Sequence, residues 1–181
     1  QPFSAKDVAF TITEAARQAS KIKFGSDVAT FVQEASAKDD NTVVINFKIP
    51  APKFMYFMTY KYDNGLYMVP QHIYSTSDDW SKFTNFDLAK GWPVTTAPWK
   101  VVFSSADQKI IDRTDEWWAV KAGLVKQLPQ VQRIVYLPFP GETQTAQALL
   151  TNAVDCSLDL RPNTMKQILA QNPKLQGWDG N

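Results

Sequence analysis

Cys156 and His72 are the single cysteine and the single histidine of the chain. Together they are the one pair that could act as a thiol nucleophile and its general base. Packing competes with that chemistry. Cys156 falls among the apolar positions of an alternating stretch, where a free thiol behaves as a small hydrophobe, and His72 follows Pro70 at a helix start. No Gly-x-Ser-x-Gly elbow accompanies them. A structural zinc site needs four Cys or His ligands at short spacing, which two residues cannot supply. Carboxylates cluster at Asp39/Asp40, Asp78/Asp79 and Asp112/Asp115/Glu116. The first two clusters lie beside turn-forming residues and the third follows a strand, so loop and cap roles are expected. Calcium near Asp78 would lack the EF-hand spacing. Gly25, Gly65, Gly91, Gly123, Gly141, Gly177 and Gly180 match neither phosphate-cradling glycine motif, which leaves nucleotide binding unsupported.

The aromatic residues are more informative. Eleven Phe, six Tyr and six Trp make up 13% of the chain, too much for a disordered polymer. Trp99 lies on an alternating face, and Trp117 and Trp118 stand at the start of a helical turn, so core packing is expected for these three. Tyr62, Tyr67, Trp80 and Trp92 lie instead in a weakly patterned middle stretch with Asn64 and Gly65. Rings there can serve as flat walls for a ligand, and an amide can orient it. The candidate ligand-binding residues are Tyr62, Asn64, Tyr67 and Trp92.

Composition narrows the function classes. The 181 residues suffice for one domain or two small ones, and a formal charge of +1 gives no field to gather nucleic acid or anionic lipid. A lone cysteine excludes an intramolecular disulfide. No apolar run approaches the roughly 20 residues that span a bilayer. The chain opens at Gln1-Pro2-Phe3 and enters a helix signal at once, so an internal piece of a longer protein is expected.

The elements that must position these residues follow from period. Ser4 with Asp7 forms a short capping box, and Val8, Ile12, Ala15, Ala19 and Ile22 make one stripe, which predicts a helix over 5–21 ended by Gly25. The stretch 28–37 and the alternating 43–49 predict an antiparallel hairpin joined by Lys38-Asp39-Asp40-Asn41, with Pro50 and Pro52 stopping it. Phe54, Met55, Phe57 and Met58 suggest a short buried helix, and Pro70 to Tyr74 a helical turn. A second hairpin is expected over 99–113. Beyond it come a strand at 131–137, a helix at 142–152, a strand at 154–160 and a last helix capped by Asn163 or Thr164, together a βαβ unit.

Several short segments, in order, resemble the extracellular solute-binding proteins of family 5. Phe3 to Thr11 is similar to that family's Ser/Thr-Ala-x-Asp-Val helix start. Asp39 to Val43 followed by Phe47 to Pro52 resembles its hairpin and proline exit, and Val69 to Tyr74 its Pro-x-His-x-Tyr segment. Pro93 to Lys100 stands in place of its Pro-Val-Gly-Thr-Gly-Pro-Tyr-Lys motif, Thr114 to Trp118 in place of Asn-Pro-x-Tyr-Trp, and Asn152-Ala153-Val154-Asp155 in place of Gly-x-Ile-Asp. Thr95-Thr96-Ala97-Pro98-Trp99 replaces both glycines of the fourth motif, so any turn built there on positive φ must be made differently.

The resemblance implies an α/β (α+β) fold of the periplasmic-binding-protein-like class II, with only part of lobe I present. Residues 1–92 would form its peripheral α+β subdomain and 93–181 part of the cleft wall. It implies a non-enzymatic, cofactor-free substrate-binding component of an ABC importer, periplasmic or extracellular, with a lipid anchor open for the parent protein. Its partners would be a peptide, or second an oligosaccharide, a membrane permease and the second lobe of the parent chain. Nucleic acid is not among them, and unpaired strands would favour self-association of the piece. A small thiol hydrolase using Cys156 and His72 is the alternative of another class.

Overall fold

The computed structural model describes residues 2–59, 65–158 and 160–177. It divides into two compact units, Gln1–Val94 and Thr95–Asn181.

The first unit is organised by helix α1 (Ala5–Arg17). At its start the Ser4 amide donates to Asp7 Oδ2 at 2.9 Å, the reciprocal half of a capping box. Ile12 and Ala15 are fully buried and pack with Val28, Val32, Phe54 and Leu66. The helix stops at Arg17, short of 21, because Gln18 leaves helical geometry and its side chain is engaged elsewhere.

Gly25 does not end this helix. It opens a second one, α2 (Gly25–Phe31), after Phe24 at φ 62°. A Cβ at position 25 would lie 2.8 Å from the carbonyl oxygens of Ala15 and Ala19, so the two helices approach at a distance only glycine permits. The expected strand over 28–37 is therefore half helix. Gly25, Val28 and Val32 are buried at helical spacing against α1, and that burial overrides the β-branched composition. Strand β1 (Val32–Ala37) pairs antiparallel with β2 (Val43–Phe47) from Ala37↔Val43 to Val32↔Phe47. The turn uses the Asp39 side chain as acceptor for the Asn41 amide at 2.9 Å.

Helix α3 (Phe54–Thr59) buries Phe54 but leaves Met55 and Tyr56 exposed, so it is only partly the buried helix expected. From residue 65 to 94 the regular elements are α4 (Gln71–Tyr74) and two 3-10 turns at Trp80–Lys82 and Leu88–Lys90, capped by the Asp79 and Asp87 carboxylates. α1 holds this segment through a polar seam. Asp7 Oδ1 accepts the Gln71 amide at 2.9 Å, Thr11 Oγ1 accepts the Val69 amide at 3.0 Å, and Gln18 Oε1 accepts the Trp80 amide at 2.9 Å. Asp7, Thr11 and Gln18 are all buried.

The second unit contains an antiparallel sheet in the order β3 (Trp99–Ser104), β4 (Lys109–Arg113), β5 (Arg133–Tyr136). Helix α5 (Trp118–Lys121) lies between β4 and β5 in sequence, and α6 (Glu142–Leu150) and α7 (Pro162–Gln171) follow. Ala146, Leu149 and Ile168 form a small core with Leu150, Val154, Leu160 and Leu175 around it.

Two expectations fail here. The stretch 154–160 is not a strand among the described residues. Val154 and Leu160 join the α6–α7 core, whereas Cys156 is exposed and Leu158 is 76% exposed, so the alternating residues do not share a face and no ladder is available to them. The βαβ unit is therefore absent among the described residues, and β5 runs antiparallel to β4. Helix α7 begins at Pro162, with Arg161 rather than Asn163 or Thr164 at its cap, because proline is pre-set for the first helical position. The Arg161 amide instead finds Glu142 Oε1 at 2.6 Å.

Two outcomes are expected. Asp7→Ala leaves the Ser4 and Gln71 amides without their carboxylate and lowers unfolding free energy by about 2 kcal/mol in urea titration, with Thr11→Val costing about 1 kcal/mol through the Val69 amide. An exposed Cys156 reacts with a thiol reagent under native conditions at a rate close to that of the urea-unfolded chain.

Candidate functional site

Five aromatic residues of the first unit form a connected set. Phe10 lies 5.7 Å from Trp80 between ring centres, Trp80 5.1 Å from Tyr74, Tyr74 4.9 Å from Phe83, and Phe83 5.9 Å from Trp92. The contacts are tilted or edge-on, which suits the ring quadrupoles. The seam positions this set: Gln18 fixes the Trp80 backbone, and the Trp80 indole N–H donates to the Tyr74 carbonyl at 3.2 Å.

Beside these rings lies a cleft of about 260 Å3 whose wall includes Lys21, Lys23, Tyr67, Tyr74, Trp80 and Ser81. Of the rings singled out from sequence, Trp80 and Tyr67 are on this cleft, and Tyr67 is 61% exposed. Trp92 is not on its described wall. It stands at the far end of the ring series, where its amide donates to the Asp87 carbonyl at 2.9 Å and Lys90 Nζ sits 4.8 Å over its ring. Tyr62 and Asn64 lie outside the described residues.

Lys21, Lys23, Tyr74 and Ser81 also line the cleft without having been picked from sequence. No local pattern marks Lys21, whose place on the cleft depends on the seam between α1 and residues 69–80. Lys21 Nζ contacts Asp79 Oδ2 at 2.8 Å. That hydrogen bond, with a second from Ser81, holds the Asp79 carboxyl at about 2, below its ordinary value of 3.8. Burial pushes the Tyr74 phenol upward, a hydrogen bond with Asn85 opposing it in part. The cleft therefore offers aromatic faces and a neutralised ion pair.

On the second unit a polar groove of about 500 Å3 is lined by Asp112, Arg113, Asp115, Gln132 and Arg133. Arg133 holds Asp112 through two bonds of 2.6 and 2.8 Å, and Arg113 contacts Asp115 at 3.0 Å and the Pro129 carbonyl at 2.8 Å. The Arg133 guanidinium keeps the Asp112 carboxyl below its ordinary range. The groove neutralises itself.

The glycine-free stretch at 95–99 has its own solution. Among the described non-glycine residues positive φ occurs at Phe24 and Asn152, so Thr95, Thr96 and Ala97 turn without it. The Ala97 amide donates to Thr95 Oγ1 at 3.0 Å. The indole N–H groups of Trp117 and Trp118 both donate to the Thr96 carbonyl, at 2.9 and 2.8 Å. Core packing was expected for these two rings, yet Trp118 is 51% exposed, because its N–H is tied to a surface loop.

His72 belongs to the first unit and Cys156 to the second, and both are exposed. Among the described residues no group of three or more His, Cys, Asp and Glu side chains is placed to hold a metal ion.

Helices with small antiparallel sheets in two units, continuous over the chain, define part of a periplasmic-binding-protein-like class II fold. The oligopeptide ABC transporter periplasmic oligopeptide-binding protein of Thermotoga maritima matches with a TM-score of 0.68 at 20% identity, over 99% of this chain and 31% of its own. The same protein bound to mannohexaose matches with a TM-score of 0.65 at 20% identity, over 94% of this chain and 29% of its own. The oligopeptide-binding protein AppA of Bacillus subtilis, in complex with a nonapeptide, matches with a TM-score of 0.67 at 16% identity, over 95% and 32%. The chain thus spans about a third of the length of these solved relatives. No curated protein matches it. Residues 1–179 match the bacterial extracellular solute-binding proteins, family 5 Middle, and the chain belongs to that family.

The Lys21–Asp79 contact sets an acid limit on the cleft. A carboxyl lowered in the folded state contributes stability that is complete above 3.8 and is lost as pH falls through about 2. Trp80 fluorescence in an acid titration is expected to hold steady to about pH 4 and to change toward pH 2, with Asp79→Asn removing that last phase.

Proposed function

We propose that this chain is part of the substrate-binding component of an ABC importer, capturing peptides outside the cytoplasmic membrane for delivery to a permease. Its membership of the family over residues 1–179 carries the reading. The fold shared with oligopeptide-binding proteins of Thermotoga maritima and Bacillus subtilis supports it. The role is capture and release without covalent chemistry. Residues 1–92 act as the peripheral subdomain and 93–181 as part of one cleft wall. A second lobe of the full protein closes over the solute, and the closed form meets the permease. The place of action is periplasmic or extracellular, and no helix among the described residues is long and apolar enough to cross a membrane. In the isolated piece, the exposed Val131, Val135, Tyr136 and Leu137 around the edge strand β5 favour self-association.

Tyr62, Asn64, Tyr67 and Trp92 are the proposed solute contacts. The exposed Tyr67 ring beside the cleft and the Lys90-covered Trp92 ring are the observations behind two of them. An oligosaccharide is the second reading, favoured by the supply of rings and by the mannohexaose held by the Thermotoga maritima protein.

Calorimetric titration of the protein that carries this chain with peptide and oligosaccharide libraries is expected to give saturable heat, and its absence for every solute refutes the reading. Tyr67→Ala and Trp92→Ala are each expected to weaken binding about tenfold. Unchanged affinity in both removes them from the site.

A further inference from the structure

The cleft of the first unit is one-sided in its polarity. Its described wall carries the polar side chains Lys21, Lys23, Tyr67, Tyr74, Trp80 and Ser81, with no carboxylate and no arginine among them. Such a wall supplies hydrogen-bond donors and calls for an acceptor on the ligand. Several of the donors are already engaged. The Trp80 indole N–H donates to the Tyr74 carbonyl at 3.2 Å, the Tyr74 phenol meets Asn85, and the Ser81 hydroxyl donates to Asp79 Oδ1 at 2.7 Å. The Tyr74 and Trp80 rings therefore have π faces and apolar edges left to offer.

The lysines select the ligand. Lys21 Nζ meets Asp79 Oδ2 at 2.8 Å, but an ammonium has three hydrogens, so Lys21 can donate to a second acceptor while the pair stays closed. Asp79, itself off the described wall, ties Lys21 and Ser81 together and so orders this side of the cleft before anything binds. Lys23 adds a second cationic side chain to the same wall. Two ammoniums, with Asp79 balancing part of their charge, match one carboxylate better than the near-double charge of a phosphate. Size and lining set the rest. The volume of about 260 Å3 is just below the roughly 300 Å3 at which pockets for drug-sized ligands begin, which suits one ring on a short chain. Ile22 and the buried Leu66 give that ring an apolar floor.

We propose that this cleft binds an aromatic ring carrying a carboxylate on a short chain, with the ring among Tyr67, Tyr74 and Trp80 and the carboxylate held by Lys21 and Lys23. That chemistry belongs both to a free arylalkanoic acid and to the C-terminal aromatic residue of a peptide. The site lies within the first unit alone. The proposal rests on the reading of the chain as part of a solute-binding protein and names the chemistry that one of its surfaces recognises.

The test uses the protein that carries this chain and titrates it by calorimetry with phenylpropionate and with phenylpropionamide, which keeps the ring and loses the charge. The acid is expected to bind saturably and about tenfold more tightly than the amide, and to weaken when salt is raised to about 0.5 M. Lys21→Gln and Lys23→Gln are each expected to lower the affinity for the acid about fivefold, and Tyr67→Ala about tenfold. Both lysines are exposed, so their replacement leaves the fold in place. A second arm compares a tripeptide ending in phenylalanine with its C-terminal amide. A lysine-dependent preference for the charged form supports the site in either arm: with phenylpropionate it identifies a free acid as ligand, and with the tripeptide alone it identifies a peptide end. Equal affinity for charged and neutral forms in both arms, or binding untouched by both lysine substitutions, overturns the site. A tripeptide bound equally well with either end, and no response to phenylpropionate, overturns it while leaving the solute-binding reading in place. Silence from every probe also overturns it, and the library titration then decides the wider reading separately.

Discussion

The first unit depends on one constraint: backbone amides of a segment with little secondary structure of its own must find acceptors, and α1 provides them from side chains. A buried unpaired amide costs on the order of 1 to 3 kcal/mol, which a loop cannot carry at several places. Asp7, Thr11 and Gln18 face that loop along one side of α1, while Ile12 and Ala15 face the apolar core. The helix is therefore two-sided in function. One side joins it to α2 and the hairpin, and the other fastens residues 69–80 so that Tyr74 and Trp80 become walls of a cleft. The Asp7 carboxylate accepts amides from the starts of both α1 and α4, which fixes where the two helices begin.

The second unit solves the same problem with less burial. Its described core is confined to a few residues of α6 and α7, and its sheet leaves large apolar side chains exposed along β5. Order comes instead from local polar ties: Arg133 forked onto Asp112 across the β4–β5 ladder, Arg113 reaching the Pro129 carbonyl, and two indoles on Thr96. Such ties set geometry more than they add stability, because exposed ion pairs contribute little. A surface shaped this way keeps defined positions for its rings without hiding them.

What the sequence made legible follows from which interactions are periodic. The capping box at Ser4, the start of α1 and the hairpin expected over 99–113 follow local rules and stand where those rules place them, whereas α1 stops at Arg17 short of 21, α6 stops at Leu150 short of 152, and only the second half of 28–37 is strand. Helix α2 was missed because its helicity is decided by Gly25 touching the α1 backbone, a contact between residues distant in sequence. The alternation at 154–160 misled for the opposite reason: a period of two makes a strand only when another strand supplies a ladder. Of the site, Tyr67 could be picked because an aromatic in an unpatterned stretch needs a purpose. Lys21 and Tyr74 could not, since their place on the cleft depends on the seam. The exposure of Trp118 was hidden by the same kind of cause, a carbonyl more than twenty residues away that holds its N–H at the surface.

The resolved ionisation shifts bear on what these surfaces can do. Proton transfer at neutral pH calls for a group poised near neutrality, usually a carboxyl pushed up by burial or a histidine tuned by a neighbour. The shifts among the described groups run the other way. Arg17 draws Glu14 down, a backbone amide draws Asp39 down, Lys21 draws Asp79 down, and Arg133, Lys121 and the Arg161 amide do the same for Asp112, Glu116 and Glu142. Arg17 and Arg133 move up in return, and burial moves the Tyr74 phenol up. Every one of these changes carries its group further from the pH at which it could exchange a proton. Charges locked in their ionised forms make poor acids and bases, but they give fixed donors and acceptors whose positions do not drift with pH.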